Sequence, residues 1–101
     1  MGERDFDARC YVLVRKIPKG RVTTYKLLAE ALGTKAWRAV GNALARNPDL
    51  IATPCHRVVR SDGGIGGYAG GRAEKIALLK AEGVTIREGK VTGLERYLFR
   101  F

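Results

Sequence analysis

Two apolar stripes at helical spacing, separated by only Gly33-Thr34-Lys35, constrain this chain more than any other feature. In the first, Thr24 can cap a helix that turns Leu27, Leu28, Ala31 and Leu32 inward and stops at Gly33, the residue type that commonly ends helices. In the second, from about Ala36 to Arg46, Trp37, Val40 and Leu44 form the inward stripe while Arg38, Gly41, Asn42 and Ala45 face elsewhere. So short a turn makes the two helices pack against each other at once, which is the geometry of a helix-turn-helix. A preceding helix is marked by Phe6, Cys10, Leu13, Val14 and Ile17 and is stopped by Pro18-Lys19-Gly20. The fold class that follows is mainly α: a helix-turn-helix in a winged-helix-like three-helical bundle with short β-strands.

The tail supplies the wing. Val84-Thr85-Ile86-Arg87 and Lys90-Val91-Thr92 flank Glu88-Gly89 as a small hairpin. Leu94, Tyr97, Leu98 and Phe101 then fall at helical spacing and are expected to pack back onto the core. With 101 residues, 46% of them hydrophobic, the chain can bury one compact core and not two. Residues 1–101 therefore read as a single domain. No apolar run approaches the roughly 20 residues of a membrane span, and Met1-Gly2-Glu3-Arg4-Asp5 opens no secretory signal. The expectation is a soluble, intracellular monomer without a membrane partner.

Lysine and arginine number 19 against 10 acidic residues, a net charge of +9. Such a field attracts polyanions, and on charge alone DNA and a ribosomal surface qualify equally. The second helix of a helix-turn-helix normally enters a DNA groove. Here, however, Ala39, Gly41 and Ala45 are too small to hydrogen-bond base edges in the major groove. A face of small residues with one long side chain, Arg38, suits the minor groove, where the helix must approach closely and a side chain can wedge into the base stack. The same small residues would serve equally to pack another helix.

Chemistry gathers between Ile51 and Val59, an apolar, partly β-branched segment that reads as extended across the core. Cys55 stands there beside His56, the only histidine. A thiolate is a strong nucleophile, and a nearby base or positive charge raises its population. Neighbours in a strand point to opposite faces, so joining the two side chains needs a turn or a bridging water. One histidine and two cysteines cannot fill a four-ligand zinc site, and no metal is expected. Cys10, on the apolar stripe of the first helix, reads as a small buried hydrophobe.

Taken in order, Ile17-Pro18-x-Gly20-x-Val22-x-Thr24-Tyr25, Arg38-Ala39-Val40-Gly41, Asn47-Pro48 and Pro54-Cys55-His56-Arg57-Val58 resemble the methylated-DNA-protein-cysteine methyltransferases, the O6-alkylguanine-DNA alkyltransferase family. The likeness continues through Gly63-Gly64, Gly67-Tyr68-Ala69-Gly70-Gly71, Lys75, Leu78-Leu79 and Glu82-Gly83. The resemblance implies DNA repair by direct reversal: one irreversible transfer of the O6-alkyl group of guanine to Cys55, after the base is flipped through the minor groove. It makes Cys55 the acceptor, His56 and Glu82 a water-mediated relay that deprotonates it, and Asn47 a hinge between recognition helix and active-site segment. Arg38 would replace the flipped nucleotide in the stack. Thr24, Tyr25, Ala36, Trp37, Ala39 and Gly41 would join it on the DNA. Leu44, Tyr68, Ala69 and Gly70 would help form the base pocket, with Tyr25 donating to a ring nitrogen, the Ala69 N–H meeting O6, and the carbonyls of Cys55 and Val58 accepting from the exocyclic amine.

The implied partner is double-stranded DNA carrying O6-alkylguanine, with no cofactor, acting in the cytoplasm at the nucleoid or in a eukaryotic nucleus. Many members carry a further N-terminal domain, so this chain resembles the C-terminal catalytic domain alone. Its size also matches the alkyltransferase-like proteins, which bind and flip the same lesions without repairing them and replace the acceptor cysteine; Cys55 points away from that class. Ala69 stands where many members have serine. Trp37 is larger than the usual residue, and either packs inside or shapes the DNA contact.

Overall fold

In the computed structural model, which describes residues 3–101, the opening helix α1 (Glu3–Val14) buries Cys10 and Val14 completely, with Ile17 following them inward after the helix ends. The first two residues of the single domain read from sequence lie outside the described residues. After β1 (Thr23–Thr24), α2 (Tyr25–Ala31) and α3 (Trp37–Ala45) complete a helical layer over a core of Cys10, Val14, Leu28, Val40 and Ala43. Thr24 sits in extended backbone, and its hydroxyl accepts the Leu27 N–H at 3.1 Å, a cap worth about 1 kcal/mol. The Tyr11 hydroxyl donates to the Ala43 carbonyl at 2.7 Å and Arg9 to that of Leu32 at 3.1 Å, so α1 is tied to both members of the helix pair.

A second layer follows: β2 (Val58–Val59), α4 (Arg72–Ala81), the strands β3 (Ile86–Arg87) and β4 (Lys90–Val91), and the single turn α5 (Leu94–Tyr97). Val22, Val59, Ile65, Leu79, Val84 and Val91 form its own apolar centre. β1 and β2 pair in parallel, Thr23 opposite Val58 and Thr24 opposite Val59, which lays the start of α2 beside the segment after Cys55. β3 and β4 make the expected antiparallel hairpin. The tail returns to Val22, whose N–H donates to the Tyr97 carbonyl at 2.9 Å and whose own carbonyl accepts from Phe99 N–H at 2.7 Å.

The mainly helical class with short strands and a hairpin is as read from the sequence, with α4 and α5 added to the three bundle helices. Four details differ. Trp37 is 51% exposed, and the inward stripe of α3 is Val40, Ala43 and Leu44, because alanine at 43 already fills the position facing α1. On α2, Ala29 is buried where Ala31 was expected. Only Val58–Val59 of the segment read as extended is strand; Cys55–Arg57 is a 3₁₀ turn. Phe101 is 42% exposed and meets the Phe99 ring edge-on, since the chain straightens at Leu98 after one helical turn. Among the described residues no helix is long and apolar enough to cross a membrane.

Candidate active site

Cys55 is placed from both sides. Upstream, α3 ends at Ala45 and Asn47 turns inward: its amide donates to the Thr53 carbonyl at 2.8 Å, while its Oδ1 accepts the Asp49 N–H at 3.0 Å. One buried side chain thereby fixes the loop that joins the helix to the cysteine. Downstream, the 3₁₀ turn of Cys55–Arg57 runs straight into β2, which β1 holds in register. The turn removes the alternation of faces that a strand would impose on Cys55 and His56.

His56 is 5% exposed, and its Nε2 lies 3.0 Å from Glu82 Oε2. Glu82 is held there by its own helix end. It caps α4, with Gly83 at φ 92° and a paired bond set, Gly83 N–H to the Lys80 carbonyl and Val84 N–H to that of Leu79, that only a left-handed residue closes. Arg57 clamps the same carboxylate through both Nε at 3.0 Å and Nη2 at 2.7 Å, and its Nη1 donates to the Ile17 carbonyl at 2.9 Å. Burial pushes the Glu82 carboxyl up, but the hydrogen bonds from Arg57 and His56 outweigh it and hold the group below the usual carboxylate range. Burial depresses His56 despite the carboxylate beside it. Glu82 is therefore ionised and His56 neutral, so Nε2 carries the proton and donates. Nδ1 is left as the basic nitrogen; it is buried and has no hydrogen-bond partner among the described residues.

The Cys55 thiol is raised by burial, against the pull of hydrogen bonding from Asn47 and the positive charge of Lys75. At rest it is a thiol and needs a base. Cys10 is pushed up to about 11 by burial and the nearby Asp7 charge, and is inert. Lys75 is completely buried, donating from Nζ to the Val58 carbonyl at 2.7 Å, the Gly67 carbonyl at 3.1 Å and the Tyr25 hydroxyl at 3.5 Å. One ammonium thus ties β2, the glycine-rich loop and α2 together; burial lowers it to about 8. Tyr25 is raised to about 12, by burial and then by the neighbouring cysteine, so its hydroxyl keeps its proton. At Gly66, φ 75°, a side chain would begin 2.8 Å from that hydroxyl; the loop can approach Tyr25 only as glycine.

These elements enclose an open cleft of about 630 Å³. Trp37, Arg38, Gly41 and Leu44 of α3 form one wall, and Tyr68 and Ala69 of the loop form the other. Cys55, 4% exposed, lies at its floor with Tyr25, and Arg60 stands at its rim. Tyr68 meets the His56 ring edge-on, with centroids 6.3 Å apart. Of the residues expected from sequence, the cleft gathers Tyr25, Trp37, Arg38, Gly41, Leu44, Cys55, Tyr68 and Ala69, while His56, Glu82 and Asn47 lie behind it. Thr24 is buried with its hydroxyl engaged in the cap, and Ala36, Ala39 and Gly70 lie off the cleft. The Val58 carbonyl already accepts from Lys75, leaving its second lone pair. Sequence reading gave no role to Arg57 or Lys75. A lysine sharing a helix face with Leu79, four residues on, was the available signal for the latter.

A family model described as 6-O-methylguanine DNA methyltransferase, DNA binding domain, matches residues 5–84, a stretch that includes Cys55, His56 and Glu82. The chain belongs to this family. It is 56% identical over 75 residues to a methylated-DNA–protein-cysteine methyltransferase of Saccharolobus solfataricus, covering 74% of this chain and 48% of that protein. A bifunctional methyltransferase/endonuclease of Picrophilus torridus is 47% identical over 96 residues, covering 94% of this chain and 32% of the relative. The chain thus spans from 32% to 48% of these relatives' length. Among solved structures, S. pombe Atl1 in complex with damaged DNA containing O6-carboxymethylguanine superposes with a TM-score of 0.87 at 30% identity, covering all of both chains. The O6-methylguanine-DNA methyltransferase of Pyrococcus kodakaraensis superposes at 0.73 with 49% identity, covering 78% of this chain and 46% of that one.

Proposed function

We propose that this chain repairs O6-alkylguanine in double-stranded DNA by moving the alkyl group, once and irreversibly, to Cys55, and that it is the counterpart of the family's cysteine-bearing domain. One observation carries the reading: a buried thiol at the floor of a cleft shares a turn with a neutral histidine whose Nε2 is engaged by an ionised glutamate. In this reading the thiol proton passes by way of water to His56 Nδ1, and Glu82 stabilises the resulting imidazolium. The sulfur attacks the alkyl carbon, a C–S bond forms, and the C–O6 bond breaks with its electron pair moving onto the guanine. Tyr25, a phenol held protonated, donates to the ring as that charge develops, and the Ala69 N–H donates to O6. The guanine recovers a proton and the product is a thioether, which neither water nor Cys10 can cleave. Extrusion of the base costs a few kcal/mol, and Arg38, on the cleft wall, offsets part of that by filling the vacated stack.

A second reading, flipping and holding the lesion without transfer, draws support from the whole-length likeness to Atl1 bound to damaged DNA. The fate of the Cys55 sulfur separates the two. After incubation with duplex containing O6-methylguanine, the intact chain is expected to gain the mass of one methyl group at Cys55 and no more; tight binding with unchanged mass would establish the sensor reading instead.

A further inference from the structure

Trp37 is the chain's only tryptophan, and the alkyl-transfer reading sets it on the DNA without assigning what its indole touches. It is the first residue of α3 and is 51% exposed, yet it lines the same cleft as Cys55. Half-exposed indoles are uncommon on a surface unless something covers them. Beside it, on the same helix face one turn along, Gly41 leaves open space: a side-chain carbon built there meets no atom within 4 Å. The indole and the open space at Gly41 thus line one cleft. Arg38 and Arg60 line the same cleft, so the surroundings favour an anion-bearing ligand.

Position along the helix says which part of such a ligand the indole meets. Leu44 packs in the same buried cluster as Cys55, and at 1.5 Å per residue Trp37 lies roughly 10 Å further along the axis. With the O6 end of a guanine at Cys55, the mouth of the cleft receives the opposite edge of the nucleotide, its deoxyribose and the adjoining stack. Resting on the reading of Cys55 as alkyl acceptor, we propose that Trp37 is a positioning residue that packs its indole against the sugar edge of the extruded nucleotide, holding it in the cleft after Arg38 has displaced it. A contact to the sugar edge reads no base, which suits a protein that must act at any sequence.

The test compares duplex with free base in the intact chain. Trp37→Ala is expected to weaken binding to O6-methylguanine duplex about tenfold, with Trp37→Phe recovering most of the loss, while the reaction of the free base O6-benzylguanine, which has no sugar, is slowed far less. Because no other tryptophan is present, the parent's intrinsic fluorescence should change on binding alkylated duplex and stay constant with the free base. Equal duplex affinity for Trp37→Ala, or an equal loss with free base, overturns the proposal. A parent that reacts with neither substrate and does not distinguish alkylated from plain duplex overturns the alkyl-transfer reading itself, and this role with it. A parent that reacts normally beside an indifferent Trp37→Ala overturns the indole contact alone.

Discussion

Along α3, the residues that meet the cleft are Trp37, Arg38, Gly41, Asn42, Leu44 and Ala45, and no hydrogen bond from their side chains appears among the described residues. Across from them, the cysteine turn and the glycine-rich loop are fastened by groups that lie almost wholly inside the protein. Lys75 joins three segments, Glu82 takes bonds from Arg57 and His56, and Asn47 closes the preceding loop. In the alkyl-transfer reading, preorganisation is concentrated on the wall to which the chemistry is assigned, where dipoles and proton positions must be fixed before a substrate arrives. The helix wall is left bare, as that reading requires of a face that a large polyanion approaches closely.

The sharpest way to break this contrast is at Glu82. Glu82→Gln is expected to slow transfer to Cys55 by about 10² to 10⁴-fold, the range that general-base assistance supplies, because His56 loses the carboxylate that stabilises its protonated form. It also leaves Arg57 without its counter-charge, which costs about 3–5 kcal/mol when a buried pair is broken on one side. The pH profile separates the two effects. The parent's rate falls in acid as His56 protonates, below the usual histidine range, and since the carboxylate raises His56, its loss should move that limb to still lower pH. Single-turnover rates between pH 5 and 8 on folded variant would show this, and an unshifted profile with an unchanged rate would remove Glu82 from the relay.

A smaller effect is expected from Lys75. Its pKa of about 8 in the fold lies below the roughly 10.4 of a free lysine, so between those values the unfolded chain holds more protons and stability rises with pH. The contribution is complete above the free value and lost as pH falls through the folded one. Relative to Lys75→Met, the parent should gain on the order of 3 kcal/mol between pH 7.5 and 10.5 in urea unfolding. Parallel curves would mean that the ammonium is not buried as described.

The smallest expected effect tests the bare wall. Gly41→Ala should stabilise α3 by about 0.5–1 kcal/mol, since alanine is the better helix former and its methyl group meets nothing. The same methyl group should weaken binding to alkylated duplex, because it stands where the DNA would approach. Calorimetry and a binding titration on one preparation would show stability and affinity moving in opposite directions; affinity that rises with stability would mean that this face does not meet DNA.

What could be read without coordinates follows the range of the interactions involved. The helix pair, the inert Cys10 and the hairpin are governed by caps, periodicity and a tight turn, all within a few residues of one another. The turn at Cys55 was missed because its neighbours favour strand, while the bonds that shape it come from Glu82, Lys75 and Thr23, far away in sequence. Trp37 was misplaced for a related reason: helical spacing identifies a stripe but cannot tell which end of it projects past the core. His56 and Glu82 were paired by resemblance to a family, since nothing in their own surroundings brings them together.

The parallel pairing of β1 with β2, and of Val22 with the tail at Tyr97 and Phe99, has a kinetic consequence. Both join segments remote along the chain, and such contacts form late because closing long loops costs entropy before any contact repays it. The helical layer can assemble early from local contacts. The reactive geometry waits for those remote contacts, so a partly unfolded molecule carries a Cys55 that is open to solvent and freed from the burial that raises it, exposed to adventitious alkylation but without the histidine relay.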